Sequence, residues 1–193
     1  MGIEFELKFR ATPEQLEAIG LAVEGQREAF SMHTTYYDTP TGALSERHYT
    51  LRRRMENETS VCTLKFPAGE LGRGEFELEC EDIQKVIPEL CKLSGLADLP
   101  ELLEEGIVPV CGAKFQRTAI TVALEGCTVE WALDQGILYG GGREEALCEA
   151  EVELKDGDRQ TALTYAALMA ARFGLVPESG SKFRRALALA RGE

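Results

Sequence analysis

Glutamates recur at every second position in three places along this chain of 193 residues. Glu4 and Glu6 stand near its start, Glu75, Glu77, Glu79 and Glu81 follow, and Glu149, Glu151 and Glu153 come late. Arg52 and Arg54 repeat the spacing with the opposite sign. A spacing of two puts side chains on one face of a strand. A solvated sheet face usually mixes its signs, because like charges on neighbouring residues repel and opposite cross-strand pairs help. Here the signs are sorted. Crowded carboxylates need cations; crowded guanidinium and ammonium groups need an anion. A divalent metal bridged to a polyphosphate satisfies both. Hard oxygen ligands select Mg²⁺ or Mn²⁺, and Arg and Lys supply donors to phosphate.

The elements that carry these residues are strands. Residues 3–10 alternate strictly, Ile3, Phe5, Leu7 and Phe9 against Glu4, Glu6, Lys8 and Arg10. Residues 48–56, 59–66 and 73–81 form a meander with Arg52, Arg54, Lys65, Arg73, Glu75 and Glu77 on its polar faces. Four further strands are expected at 107–111, 115–124, 128–134 and 147–155. They put Arg117, Glu130, Asp134, Glu149, Glu151 and Glu153 opposite apolar residues. Thr12, Pro13 and Gln15 open a helix over 13–24 through a capping box. A helix and packed connector fill 82–105, a helix covers 158–173 with Gly174 as its stop, and a last helix begins at Ser181-Lys182. Charged faces of many strands converge on one ligand if the sheet curls with its polar side inward. The apolar sides then face outward under the helices, the reverse of a small packed barrel.

Composition narrows the function. With 21 basic and 33 acidic residues the net charge is 21 − 33 = −12, which disfavours a duplex-DNA binder and predicts no nucleic-acid partner. No apolar run reaches the ~20 residues of a membrane span, and no secretory leader is visible, so a cytoplasmic protein without a membrane partner is expected. The six cysteines form no CxxC pair and read as reduced, mostly buried thiols. Trp131 shares its parity with Val129 and Leu133 and reads as core. His33 and His48 read as incidental or surface residues, Gly140-Gly141-Gly142 as a hairpin turn, and Lys155 as the solvated end of its strand. Arg184 and Arg185 are left outside the site.

In this order the motifs resemble the CYTH superfamily, the triphosphate tunnel metalloenzymes. Glu4-Phe5-Glu6-Leu7-Lys8 is similar to its ExExK signature, Tyr36-Tyr37-Asp38-Thr39-Pro40 to its aromatic-acidic turn, and Leu51-Arg52-Arg53-Arg54 to its LRxR strand. Thr63-Leu64-Lys65 resembles TxK, Arg73-Gly74-Glu75-Phe76-Glu77 resembles RxExE, and Phe115-Gln116-Arg117 the later basic strand. Glu151-Val152-Glu153 and Ser181-Lys182 are similar to the closing ExE and SK. The resemblance implies an α+β fold, an eight-stranded antiparallel β-barrel tunnel with a charged interior and helices around it, over a single domain, 1–193.

Within the superfamily the chain looks most like bacterial inorganic triphosphatases. The implied reaction is divalent-metal-dependent hydrolysis of a small anionic triphosphate, inorganic tripolyphosphate first. The implied metal ligands are Glu4, Glu6, Glu151 and Glu153. Lys8, Arg52, Arg54, Lys65, Arg73, Arg117 and Lys182 would bind substrate. Lys8, Glu75 and Glu77 would act near the attacking water, with Glu130, Asp134 and Glu149 in support. Thiamine triphosphatase and class IV-type adenylate cyclase remain open, as does a non-catalytic polyphosphate-binding module.

Overall fold

The computed structural model describes residues 2–69 and 72–193, with side chains from Phe5 onward. In chain order the elements are β1 (Gly2–Glu4), β2 (Glu6–Arg10), α1 (Pro13–Ala22), β3 (Gln26–Asp38), α2 (Ala43–Glu46), β4 (Thr50–Glu56), β5 (Thr59–Pro67) and β6 (Arg73–Glu79). Then come α3 (Ile83–Ser94), α4 (Leu99–Leu102), a 3₁₀ turn, β7 (Val108–Leu124), β8 (Cys127–Gly140), β9 (Arg143–Gly157), α5 (Arg159–Phe173), β10 (Val176–Pro177) and α6 (Lys182–Arg191). The strands form one antiparallel sheet in the order β1-β6-β5-β4-β3-β7-β8-β9-β2-β10. Counting 2–10 once and setting aside two-residue β10, the sheet has eight strands, the number the resemblance implies; β3 contains 29–38, which looks extended in the sequence, and β7 is one strand where the alternation suggests two.

The N-terminal segment binds both sides of that order. β1 pairs with β6 and β2 with β9, and only Phe5 separates them. The strict alternation of 3–10 is therefore kept in direction while the pairing partner changes midway. No helix among the described residues is long and apolar enough to cross a membrane.

Local chemistry explains the elements. Thr12 Oγ1 accepts from Gln15 N at 3.2 Å and Gln15 Oε1 accepts from Thr12 N at 2.8 Å, completing the expected capping box of α1. The buried Asp38 carboxylate accepts from the backbone N–H groups of Thr39, Leu44 and Ser45, so this motif residue fixes the turn into α2. Residues 107–124, expected as two strands, form one. β8 and β9 run on to a two-residue turn at Gly141 and Gly142, both at positive φ (57° and 75°), a conformation that favours glycine.

Two apolar clusters lie outside the sheet, as the alternation requires. α1 and α5 cover Phe9, Ile120, Trp131 and Val152. Trp131 is fully buried, and its Nε1 donates to Tyr165 at 3.0 Å. α2, α3 and α4 cover Leu51, Cys62 and Leu64. A third cluster departs from the expectation that all helices surround the sheet. Phe183 and Ala186 of α6 pack on Met32, Tyr36, Phe115, Leu138 and Leu147, whose parity is that of the charged face. At this end the inner face is apolar, and a helix is what buries it. All six cysteines are free thiols, and burial pushes Cys62 to about 11 and Cys111 to about 12, which makes both unreactive.

Candidate functional site

The inward parity of β2 to β9 opens on one cavity of about 640 Å³, to which every one of these strands and α6 contribute side chains. Its basic wall carries Arg52 and Arg54 from β4, Lys65 from β5 and Arg73 from β6. Arg117 on β7 and Lys182 at the first turn of α6 add a second basic group. Glu6, Glu153 and Glu130 form an acidic row, since Glu6 faces Glu153 across β2 and β9, and Glu153 faces Glu130 across β9 and β8. Lys8, Glu75, Glu77 and Glu151 also line the space. Glu4 lies outside the described side chains; only its backbone, opposite Arg73, is known.

Asp134 and Glu149 sit behind the wall, fully buried. Lys182 Nζ lies 2.9 Å from Asp134, 2.7 Å from Glu149 and 2.8 Å from Glu151. Arg117 holds Asp134 with two bonds of 2.7 and 2.6 Å and reaches Glu151 at 3.0 Å. Arg185, which the sequence reading set aside, pairs with Glu149 and Glu145. Both oxygens of Glu151 are thus engaged, Oε1 by Lys182 and Oε2 by Arg117. Burial works against this carboxylate's charge, yet Lys182 and Arg117 hold it well below the usual range. In this arrangement Glu151 anchors Lys182 and Arg117, two cations of the wall. The Phe115 ring lies 5.6 Å from both Arg117 and Lys182 and supports the pair by cation–π contact.

On the other wall Lys65 is 3.1 Å from Glu75, and Arg52 is 3.5 Å from Glu77 and 3.7 Å from Glu75. Arg73 donates to Thr50 at 3.1 Å, while its buried Nε has no acceptor among the described residues. Arg54 donates to Glu56, a cavity residue absent from the expected set. Burial, and then the charge of Arg52, push the Arg54 pKa down. Cations crowded this way suit an anion. Replacing Arg54 with Ala should therefore leave the thermal midpoint of the ligand-free protein unchanged or raised, while weakening binding of tripolyphosphate about tenfold. Scanning calorimetry and calorimetric titration test both halves. A lower midpoint with unchanged binding would make Arg54 a structural partner of Glu56.

The remaining residues fall as follows. Lys8 is 2.9 Å from Glu6; burial opposes its charge, but Glu6 outweighs this and raises the pKa, so the group is a cation. Lys155, read as solvated, lines the cavity between Glu153 at 3.2 Å and Glu130 at 3.5 Å. His48 is exposed, and His33 meets Tyr139 on the outer surface. Arg53 turns outward to Ser60. Among the described residues no three acidic, histidine or cysteine groups converge tightly enough to hold an ion alone. The donor set nevertheless fits Mg²⁺ or Mn²⁺, which takes one or two carboxylates and completes its shell with water and phosphate oxygens. Glu6 and Glu153 are two such carboxylates abreast in the cavity.

Fold and cavity define an antiparallel-sheet protein whose inner face gathers basic and acidic side chains around one cavity. The CYTH domain model matches residues 2–187, and the chain belongs to that family. An inorganic triphosphatase from Haemophilus influenzae is 28% identical over 194 residues, covering 94% of this chain and 53% of the relative. The chain therefore spans about half the length of that relative. A putative adenylyl cyclase from Hippeastrum, described as having a dominant triphosphatase activity, superposes with a TM-score of 0.65 at 20% identity over 98% of this chain and 96% of that one. A putative adenylate cyclase from Bacillus halodurans gives 0.64 at 18% identity, covering 94% and 96%. These two show the shared fold.

Proposed function

We propose that this chain hydrolyses triphosphates with a divalent metal ion, and that inorganic tripolyphosphate, cleaved to diphosphate and phosphate, is its substrate. The observation that carries the reading is one cavity in which basic walls face an acidic row. A polyanion with its counter-ion neutralises both, and no organic group is needed to do so. The name of the Haemophilus influenzae relative agrees with this reading.

Glu6 and Glu153, with Glu4 beside Glu6 in sequence, would hold the ion, Mg²⁺ or Mn²⁺. Glu151, engaged by Lys182 and Arg117, would join them through its remaining lone pairs or by releasing one of those cations. When bound, the ion supplies charge neutralisation and a more acidic water. Arg52, Arg54, Lys65 and Arg73 grip phosphate oxygens and align the chain. Glu75 and Glu77 hold Lys65 and Arg52 in place for that task. Arg117 and Lys182, pre-oriented by Asp134 and Glu149, meet the negative charge that grows on the leaving phosphate, where fixed donors help most. Lys8 stays protonated beside Glu6 and adds to the phosphate grip. The N-terminus of α6, capped by Ser181, lines the same cavity and would add a favourable dipole to the anion site.

Phe30, Met32 and Phe76 also line the cavity, which favours a second reading, an organic triphosphate such as thiamine triphosphate or ATP. A panel of tripolyphosphate, thiamine triphosphate and ATP with each metal decides. Tripolyphosphate should show a kcat/KM at least about tenfold above the others, since an organic tail forfeits one or more charge-assisted contacts. Cyclic AMP should not accumulate. A preference for thiamine triphosphate, or a cyclic product, would replace the substrate assigned here. Tight binding without phosphate release would reduce the protein to a polyphosphate-binding module.

A further inference from the structure

We propose that Lys155 is a tethered cation that competes with divalent ions for the Glu153–Glu130 part of the acidic row. The inference rests on the metal-dependent reading above and adds a residue that sets how many ions the cavity holds. Glu153 and Glu130 are direct cross-strand partners, and two like charges so placed repel unless a cation joins them. Lys155 is that cation, 3.2 Å from one carboxylate and 3.5 Å from the other.

Alternation puts it there, because Lys155 lies two residues after Glu153 on the same face of β9. Thr128 pairs with Asp156 and Val129 with Leu154, so Lys155 is also the residue left without a partner on β8, at a β-bulge. The arrangement is also reversible. The Lys155 side chain is 40% exposed at the rim, and a long aliphatic stem lets its head swing to water at small cost. Glu6 on β2, opposite Glu153, is held by Lys8 at 2.9 Å. Each end of the row therefore carries a lysine, and a divalent ion that takes Glu153 must displace or tolerate Lys155. A divalent ion a few ångströms from an ammonium in a half-solvated rim loses roughly tenfold in affinity.

The experiment is a Mn²⁺ titration without substrate, read from the paramagnetic resonance signal of free Mn²⁺. The wild-type chain is compared with Lys155→Gln, Lys155→Met and Lys155→Arg. Gln and Met should tighten the weakest Mn²⁺ site about tenfold, and Arg should leave it as in the wild type. Adding Glu130→Gln to Lys155→Gln should cancel the gain. The Mg²⁺ needed for half-maximal phosphate release should fall in parallel. Unchanged Mn²⁺ affinity in both neutral variants overturns the proposal. So does a weaker grip on tripolyphosphate with unaltered Mn²⁺ binding, which would make Lys155 a phosphate ligand. If no form, wild type included, binds Mn²⁺ at millimolar concentration, the metal-dependent reading itself fails, and this inference with it.

Discussion

Lys182→Met should destabilise the metal-free protein by about 3 kcal/mol in urea denaturation, the low end of what breaking a buried ion pair costs. The side chain is only 10% exposed and meets Asp134, Glu149 and Glu151 within 2.9 Å. Removing it leaves three carboxylates and two arginines, since Arg117 still serves Asp134 and Glu151, and Arg185 still serves Glu149. The loss is therefore partial. It is also a loss of attachment, because Lys182 and Arg185 are the ionic ties of α6 to β8 and β9, beside the apolar contacts of Phe183 and Ala186.

The pH dependence has a definite sign. Burial would lower the Lys182 pKa, but Asp134, Glu151 and Glu149 raise it above the ordinary 10.5. Its contribution is complete below that value and is lost as pH climbs through the raised one. Glu151 is held below the ordinary 4.5, so its contribution is complete above that value and is lost on acidification. Wild-type stability should be level between these limits as far as this network is concerned, and fall below about pH 4.5. In Lys182→Met the acid slope should be shallower, because Glu151 then depends on Arg117 alone. An unchanged midpoint together with an unchanged acid limb would show that the network does not hold α6.

Strand parity made most of the cavity legible. Glu6, Lys8, Arg52, Arg54, Lys65, Arg73, Arg117, Glu130 and Glu153 share it because alternation is geometric and survives any curvature of the sheet. It fails where the inner face stops being polar. Residues 135–147 show no clean alternation, because Leu138 and Leu147 face α6 on the inside. Gly112 interrupts the pattern of β7 because the Tyr139 ring lies where a side chain would project, within 2.3 Å of a built Cβ. The role of Arg185 could have been read from its spacing. It lies three residues after Lys182 on the same helix, so both charges share a face. Lys155 shares the parity of Glu149, Glu151 and Glu153, and its place at the end of the strand suggests solvent; its closeness to Glu130 depends on the partner strand and leaves no mark on β9.

Glu6→Gln and Glu153→Gln should each lower kcat/KM for tripolyphosphate about a hundredfold or more at low Mg²⁺, with partial recovery as the metal is raised. The swap is nearly isosteric and removes only charge and donor strength, so the fold should persist. The neighbours of Glu153 give the comparison its force. Glu151 is two residues away on the same face, but it is bound by Arg117 and Lys182. Glu151→Gln should cost stability as well as activity, and added metal should restore neither. Glu130 pairs with Lys155 at the rim, and Glu130→Gln should cost activity only a few fold. A loss that metal concentration repairs belongs to a residue that holds the ion. A loss that it leaves untouched belongs to one that holds the cations of the wall. Full activity of both Glu6→Gln and Glu153→Gln at low Mg²⁺ would remove the ion from this row, and the cavity would then have to be read as a polyanion site whose carboxylates serve its arginines and lysines alone.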